Sequence, residues 1–146
     1  MTAVSLDLDA LSSDTATHEI LKPGGVEGTG WVITFAGPSH PRAVAWSNEN
    51  SRRTLRKEQQ VEQARANGKK YKAEDRDPDD VRRENIQWVV AHIVDWTPID
   101  IGDGPVAFSD AAATELLLNR RMGWALVQMI DFLADDRSFT KRSATT

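Results

Sequence analysis

The chain has 146 residues, of which 40% are hydrophobic and 27% are charged, and this is enough material for one folded domain with a buried core. It contains no cysteine, which excludes disulfides, thiolate zinc sites and thiol nucleophiles. The first 19 residues have no Lys or Arg and no signal-peptide core, and no apolar run reaches membrane length, so we expect a soluble cytoplasmic protein without a membrane partner.

Charge is distributed unevenly along the chain. Residues 42–72 contain nine Lys or Arg and three Glu, which gives this stretch a net charge of +6. The remainder carries −10, because the whole chain has a net charge of −4. Opposite fields steer two molecules together, so this asymmetry favours contact with an acidic partner or with a second copy of the chain.

The chain begins with a predicted flexible tail that is followed by a β-hairpin. Residues 1–18 mix small polar and acidic residues with few aliphatic ones, as frayed tails do. Residues 19–22 predict one strand, and Trp31, Ile33 and Phe35 mark one face of a second strand at a spacing of two. A lone hairpin is marginal in water, so we expect a helix or a partner to cover it.

A long basic helix is predicted after the hairpin. Ser47 or Asn48 can cap its start, and Asn67 with the following glycine is a good stop. Its sizeable apolar residues are Leu55 and Val61 alone. Helices that are polar on nearly every face are exposed, bound to a partner or unstable, so this segment is predicted to contribute little to a core.

The second half of the chain opens with a firm helix start. A polar linker is predicted at residues 68–76, and it closes a unit of hairpin, basic helix and linker over residues 19–76. Asp77 then caps a helix with Pro78 at its first position, where proline is favoured. Apolar residues continue at helical spacing as far as Trp96, so the helix is predicted to end there, just before a proline.

Two more helices complete the predicted fold. Ser109 caps the third, which ends at Asn119, and the fourth runs from about residue 122 to 134 with an apolar stripe on one side. Residues 77–139 are therefore predicted to form a compact helical module, followed by a polar tail at residues 140–146. The expected class is α+β: mainly α, with a small N-terminal β-hairpin.

The sequence offers poor material for catalysis or metal binding. His18, His40 and His92 lie in different predicted elements without paired spacing, and Ser39 beside a histidine lacks a third triad member. The acidic run at residues 75–79 starts like a calcium loop but lacks its glycine and its final glutamate, so helix capping explains it better. We therefore expect a protein that is not an enzyme and has no catalytic, metal-binding or cofactor-binding residues.

Aromatic and basic residues are the remaining interaction signals. The basic stretch with Trp46 and Tyr71 nearby could follow a phosphate backbone, although a solvated charged helix is the simpler interpretation. Phe139 stands among polar residues, so its burial requires folding back on the fourth helix or docking to another protein. Five tryptophans are many for this length, and three of them lie on helix stripes that predict core positions: Trp88, Trp96 and Trp124.

The chain resembles the tail assembly chaperones of long-tailed bacteriophages. The resemblance lies in a predicted helix that ends with residues 93–96 and in a turn with Asp-Gly and an apolar-Phe-Ser step at residues 103–109. It continues through a Leu-rich helix at residues 114–118 and a final helix followed by the lone Phe139. A looser similarity lies in the Thr-Gly strand opening at residues 29–33 and the basic stretch that follows.

The resemblance implies a non-catalytic chaperone in the host cell cytoplasm. Such a protein binds the long helical tape-measure protein and helps recruit tail-tube subunits, and self-association is a further expectation. A small nucleic-acid-binding or regulatory module that uses the basic helix, or a minor structural tail or neck protein, are the alternatives; nucleic acid is the less favoured partner. The residues expected to contact a partner are Arg52, Arg53, Arg56, Lys57, Trp124, Phe132 and Phe139.

Overall fold

A computed structural model describes residues 3–69 and 77–140 of the chain. Most of the predicted linker at residues 68–76 and nearly all of the predicted polar tail at residues 140–146 lie outside the described residues. The helices are α1 Leu8–Leu11, α2 Pro41–Ala66, α3 Pro78–Ala91, α4 Asp110–Leu118 and α5 Gly123–Ala134, with 3₁₀ turns at Arg120–Met122 and Asp136–Phe139. The strands are β1 Thr15–Leu21, β2 Gly28–Ala36, β3 Ile93–Trp96, β4 Ile99–Asp100 and β5 Pro105–Val106.

The predicted hairpin is confirmed, and it begins earlier than expected. β1 and β2 pair antiparallel, with Thr15 opposite Ala36 and Glu19 opposite Val32. Residues 15–18 therefore belong to a strand and not to the N-terminal tail that was predicted to reach residue 18. The α+β class is confirmed with this pairing.

A third strand replaces the predicted end of the first C-terminal helix. α3 stops at Ala91, and residues 93–96 pair antiparallel with β2, with Ile33 opposite Trp96. The helical prediction for these residues was wrong because the free edge of β2 offers pairing to a short β-branched and aromatic segment, a tertiary effect that local periodicity does not contain. The helix that ends in Trp96, which forms part of the resemblance to tail assembly chaperones, is therefore a strand in this chain.

One core joins the two halves of the chain. Trp31, Ile33 and Phe35 share the buried face of β2, as predicted, and they belong to the same cluster as Val89 of α3 and Met129 of α5. The compact helical module predicted for residues 77–139 is therefore not a separate unit, because its strand β3 and its core are shared with the hairpin.

The caps predicted for the C-terminal helices are confirmed. Asp77 accepts a hydrogen bond from the Asp79 N–H at 3.2 Å, and Ser109 Oγ accepts one from the Ala112 N–H at 3.1 Å. These side chains satisfy N–H groups that the first turn of a helix leaves without partners. Asn119 ends α4 as expected, and α5 begins within one residue of its predicted start.

The basic helix α2 is longer than predicted. Its cap is His40, whose Nδ1 accepts from the Arg42 N–H at 3.1 Å, so the helix starts six residues before the predicted cap Ser47. Its end before Asn67 is confirmed. At 1.5 Å per residue, 26 residues span roughly 39 Å, yet Ala43 is the one buried residue in it and all of residues 51–60 are exposed.

Helix α5 is fastened to the hairpin by a side chain that the sequence pattern did not single out. Gln128 Oε1 accepts from the Leu21 N–H at 2.8 Å, and Gln128 Nε2 donates to the Leu21 carbonyl at 2.8 Å. Both main-chain groups lie at the end of β1, where the pairing register with β2 shifts. The Gln128 side-chain amide thus supplies the hydrogen bonds that the Leu21 main chain does not receive from the irregular strand pairing.

Candidate partner-binding surface

An apolar cleft opens where α2, α3 and α5 meet the edge of the sheet. Its volume is about 510 Å³, and the N-terminal segment at Ser12 and Ser13 forms one rim. We call it the tryptophan cleft and define it by its five large side chains: Trp46, Trp88, His92, Leu133 and Phe139. A concave site with an apolar lining and few polar groups is what binding pockets for apolar side chains share.

His92 holds the two tryptophans of the cleft in place. Its Nδ1 donates to the Trp88 carbonyl at 2.7 Å, because a carbonyl oxygen can only accept. Its ring lies edge-on to Trp46 at 5.4 Å between centroids and 5.6 Å from Trp88. His92 is therefore a histidine at the edge of the core, and its ring contacts both tryptophans of the cleft.

Phe139 folds back on the last helix, which is one of the two ways of burying it that the sequence predicted, and its contact with a partner stays a prediction. Its side chain is 9% exposed and its ring meets Phe132 edge-on at 5.7 Å. Its carbonyl accepts from the Ser13 N–H at 3.0 Å. A Cβ on Gly37 would lie 2.9 Å from the Phe139 ring, so a glycine makes room for this packing. Phe139 contributes the floor of the cleft instead of a free surface.

A groove between α2 and α3 lies beside the cleft, toward the basic residues. Trp46 and Trp88 line both hollows, so the two are adjacent. Arg53 and Lys57 stand on the α2 wall of the groove, which faces Glu84 and the neutral polar residues Asn85 and Gln87 of α3. A ligand that placed an apolar side chain in the cleft would therefore bring its neighbouring residues beside two cations.

The four basic residues that are predicted to contact a partner are exposed on α2, but only two of them line the groove. Arg52 and Arg53 approach Glu49 at 3.8 Å in exposed pairs that contribute little to stability. Arg53 and Lys57 face the groove, whereas Arg52 and Arg56 are not part of its lining. Residues 51–66 carry five Lys or Arg against two Glu, a net charge of +3 on what we call the basic half of α2.

Trp124 and Phe132 lie in a different hollow, beneath the hairpin turn. This hollow has a volume of about 480 Å³, and His18 and Gln128 also line it. Phe132 stacks on His18 at 4.9 Å between centroids and packs on Phe35 at 5.0 Å. Burial lowers the pKa of His18 below its ordinary value of 6.5, and the neighbouring Glu19 opposes this shift. The structure therefore distributes the seven predicted contacts over three places.

Trp46, Trp88 and Leu133 were not predicted as partners in one site. Trp46 was noted beside the basic stretch and Trp88 was placed in the core by its helix stripe. Trp88 and His92 are four residues apart on one helical face, and this spacing was the available signal that they would act together. The approach of Trp46 depends on α2 starting at Pro41, which the predicted start did not allow.

The part of the chain that the structure covers contains neither a cluster of metal ligands nor a membrane-spanning helix. Among residues 3–69 and 77–140, no three His, Asp or Glu side chains converge as a metal site requires. Within these same ranges, none of the helices combines the length and the apolar character needed to cross a bilayer.

The chain gives no match when it is compared with models of protein families, with curated proteins and with solved structures. The tryptophan cleft, the groove and the basic half of α2 are therefore the features on which a function can be based.

Proposed function

We propose that the protein is a non-catalytic assembly chaperone of a long-tailed bacteriophage. In the host cytoplasm it binds the tape-measure protein, keeps its apolar helical faces apart and helps recruit tail-tube subunits. The residues that resemble tail assembly chaperones support the proposal. The observation that carries it is that the tryptophan cleft adjoins the groove whose α2 wall holds Arg53 and Lys57, a surface suited to a long amphipathic partner.

The surface suggests how such a partner is held. One apolar side chain of a client helix enters the tryptophan cleft, between Trp46 and Trp88. Acidic residues one or two turns along the client then lie beside Arg53 and Lys57. The apolar anchor provides affinity and the cations provide orientation and faster encounter. Covering the client in this way prevents the association of exposed apolar faces that leads to aggregation.

Co-expression with the tape-measure protein tests the function. We expect the soluble yield of the tape-measure protein to rise in the presence of this chain. Trp46→Ala should weaken binding to a tape-measure segment by about 1–3 kcal/mol, measured by calorimetry, as truncation of a hot-spot aromatic does. The matched control is Trp124→Ala, which removes a half-buried tryptophan from the hairpin hollow.

The outcomes distinguish a wrong binding surface from a wrong function. A loss of affinity in Trp124→Ala but not in Trp46→Ala would move the contact to the hairpin hollow and leave the chaperone proposal intact. An unchanged soluble yield, together with no affinity for any tape-measure segment, would overturn the proposal. Circular dichroism of both variants shows whether the fold is retained.

The exposed basic half of α2 favours one second candidate, a nucleic-acid-binding module. Its net charge of +3 and its exposed Lys and Arg side chains suit contacts with a phosphate backbone. Affinity for duplex DNA that falls steeply with salt, combined with no affinity for tape-measure segments, would establish this function. An apolar cleft would give a shallow salt dependence instead.

A further inference from the structure

The N-terminal segment carries aliphatic side chains that are exposed and do not pack into the core of their own molecule. We call residues 3–11 the N-terminal arm. Its four aliphatic side chains, Val4, Leu6, Leu8 and Leu11, are 46% to 84% exposed. Asp7 and Asp9 lie between them, and the chain has no Lys or Arg before Lys22. An arm that alternates apolar and acidic residues has the composition that complements an apolar cleft next to cations.

The arm leaves the body at the rim of the tryptophan cleft. Ser12 and Ser13 line that rim, and the Ser13 N–H donates to the Phe139 carbonyl at 3.0 Å. Ser12 has extended backbone and forms a β-bridge with Thr140. These contacts fix the root of the arm, while the aliphatic side chains beyond it remain exposed and outside the lining of their own cleft.

We propose that the tryptophan cleft of one molecule holds the N-terminal arm of a second copy of the chain. Because the arm starts at the rim of the cleft, a two-fold axis beside the rim lets each arm enter the cleft of the other molecule. The exchange is then reciprocal and closed, as in most homodimers. Leu6 and Leu8 supply the anchors, and Asp7 and Asp9 approach the basic wall at Arg53 and Lys57.

The assignment involves this chain alone and does not depend on the chaperone proposal. A client helix and the arm would use the same cleft, so arm exchange would protect the apolar site until a client displaces it. Failure of arm exchange leaves client binding untouched, because the two are measured with different molecules.

Self-association of the full chain is the first test. Sedimentation velocity over a range of concentrations should show a monomer–dimer equilibrium that weakens as salt is added. The double variant Leu6→Ser/Leu8→Ser should raise the dissociation constant by more than about tenfold, since it removes two aliphatic anchors. The control is Val26→Ser, which removes an apolar side chain that is 88% exposed in the hairpin turn, and it should leave the dimer unchanged.

Cross-linking decides which molecule supplies the arm. The chain has no cysteine, so each introduced thiol is the one reactive sulfur in its molecule. We expect a Leu6→Cys variant mixed with a Ser47→Cys variant to form a disulfide between the two chains under mild oxidation, because Ser47 lines the cleft. The matched negative pair is Leu6→Cys mixed with Thr29→Cys, because Thr29 lines another hollow.

Each remaining result overturns the proposal. A chain that is monomeric at every concentration and forms no mixed disulfide has no exchanged arm. A dimer that survives Leu6→Ser/Leu8→Ser uses another surface. If the double variant Leu6→Cys/Ser47→Cys cross-links within one molecule at high dilution while the mixture gives no mixed disulfide, the arm belongs in its own cleft.

Discussion

Strand β2 and the basic half of α2, called outer α2 below, differ in how far their side chains are buried. β2 buries Trp31, Ile33, Phe35 and Ala36 and pairs with a strand on each side. Residues 51–60 of α2 are all exposed and have no packed face. The contrast shows that stability is concentrated in the sheet and its covering helices, whereas α2 presents charge to solvent. A change in β2 should therefore affect folding, and a change in outer α2 should affect recognition.

The largest expected effect is the loss of stability on removing a buried side chain of β2, compared with removing an exposed one of α2. Phe35 is fully buried against Phe132, so Phe35→Ala removes packing and leaves a cavity, at a cost of about 3–5 kcal/mol in the free energy of unfolding. Leu55→Ala on α2 removes a side chain that is 57% exposed and should change it by less than about 0.5 kcal/mol. Urea denaturation of both variants measures the difference. Similar losses in the two variants would contradict the division between folding and recognition surfaces.

A second test concerns the contact that joins the C-terminal helices to the sheet. Gln128→Ala leaves the N–H and the carbonyl of Leu21 without their side-chain partner, which should cost about 1–3 kcal/mol of stability. Val127→Ala, at the exposed neighbouring position, is the matched control and should cost much less. Equal effects in chemical denaturation would mean that the Gln128 hydrogen bonds do not fasten α5 to the hairpin.

Local signals in the sequence predicted the parts of the fold that local interactions determine. Asp77 and Ser109 cap helices because their own side chains satisfy nearby N–H groups, and this is readable from a few neighbouring residues. The strand at residues 93–96 was missed because its pairing partner, β2, lies about sixty positions earlier in the chain. Local periodicity carries no information about such a partner.

The candidate site was predicted less well than the fold, for the same reason. The exposure of the α2 cations was predictable because a helix with so few apolar residues has no face to bury, whereas their contact with a partner stays a prediction. The tryptophan cleft was not found, since Trp46 of α2 and Leu133 of α5 line one cavity only through the tertiary packing of helices far apart in sequence. For Phe139 the sequence left folding back and docking as alternatives, because its burial depends on Gly37 and Ser13, far away in sequence.

A smaller effect is expected from pH at the hairpin hollow. Burial lowers the pKa of His18, so the unfolded chain takes up a proton at a higher pH than the folded chain does. The contribution of His18 to stability is therefore complete above its unfolded pKa of 6.5 and decreases as the pH falls below that value. Glu19 opposes the shift, which limits the effect.

The difference between wild type and His18→Gln isolates this contribution. Denaturation midpoints measured between pH 7.5 and about pH 5 should fall more steeply in the wild type than in the variant, because glutamine does not titrate. Parallel curves, or a wild type that gains stability relative to the variant on acidification, would show that burial does not disfavour the charged imidazole.

The smallest effect on stability belongs to the outer half of α2, and it should coincide with the clearest effect on association. Changing Arg52, Arg53, Arg56 and Lys57 together to Gln removes four exposed charges while keeping good helix formers, so the melting temperature should change little. Association with an acidic partner, or between copies of the chain, should become slower and less sensitive to salt, because these charges steer the encounter. Stopped-flow measurements at two salt concentrations separate this loss of steering from a loss of affinity at the cleft, where Trp46→Ala should mainly speed dissociation. A large drop in melting temperature would show instead that the basic face is packed against the body, and the contrast between the sheet and outer α2 would then fail.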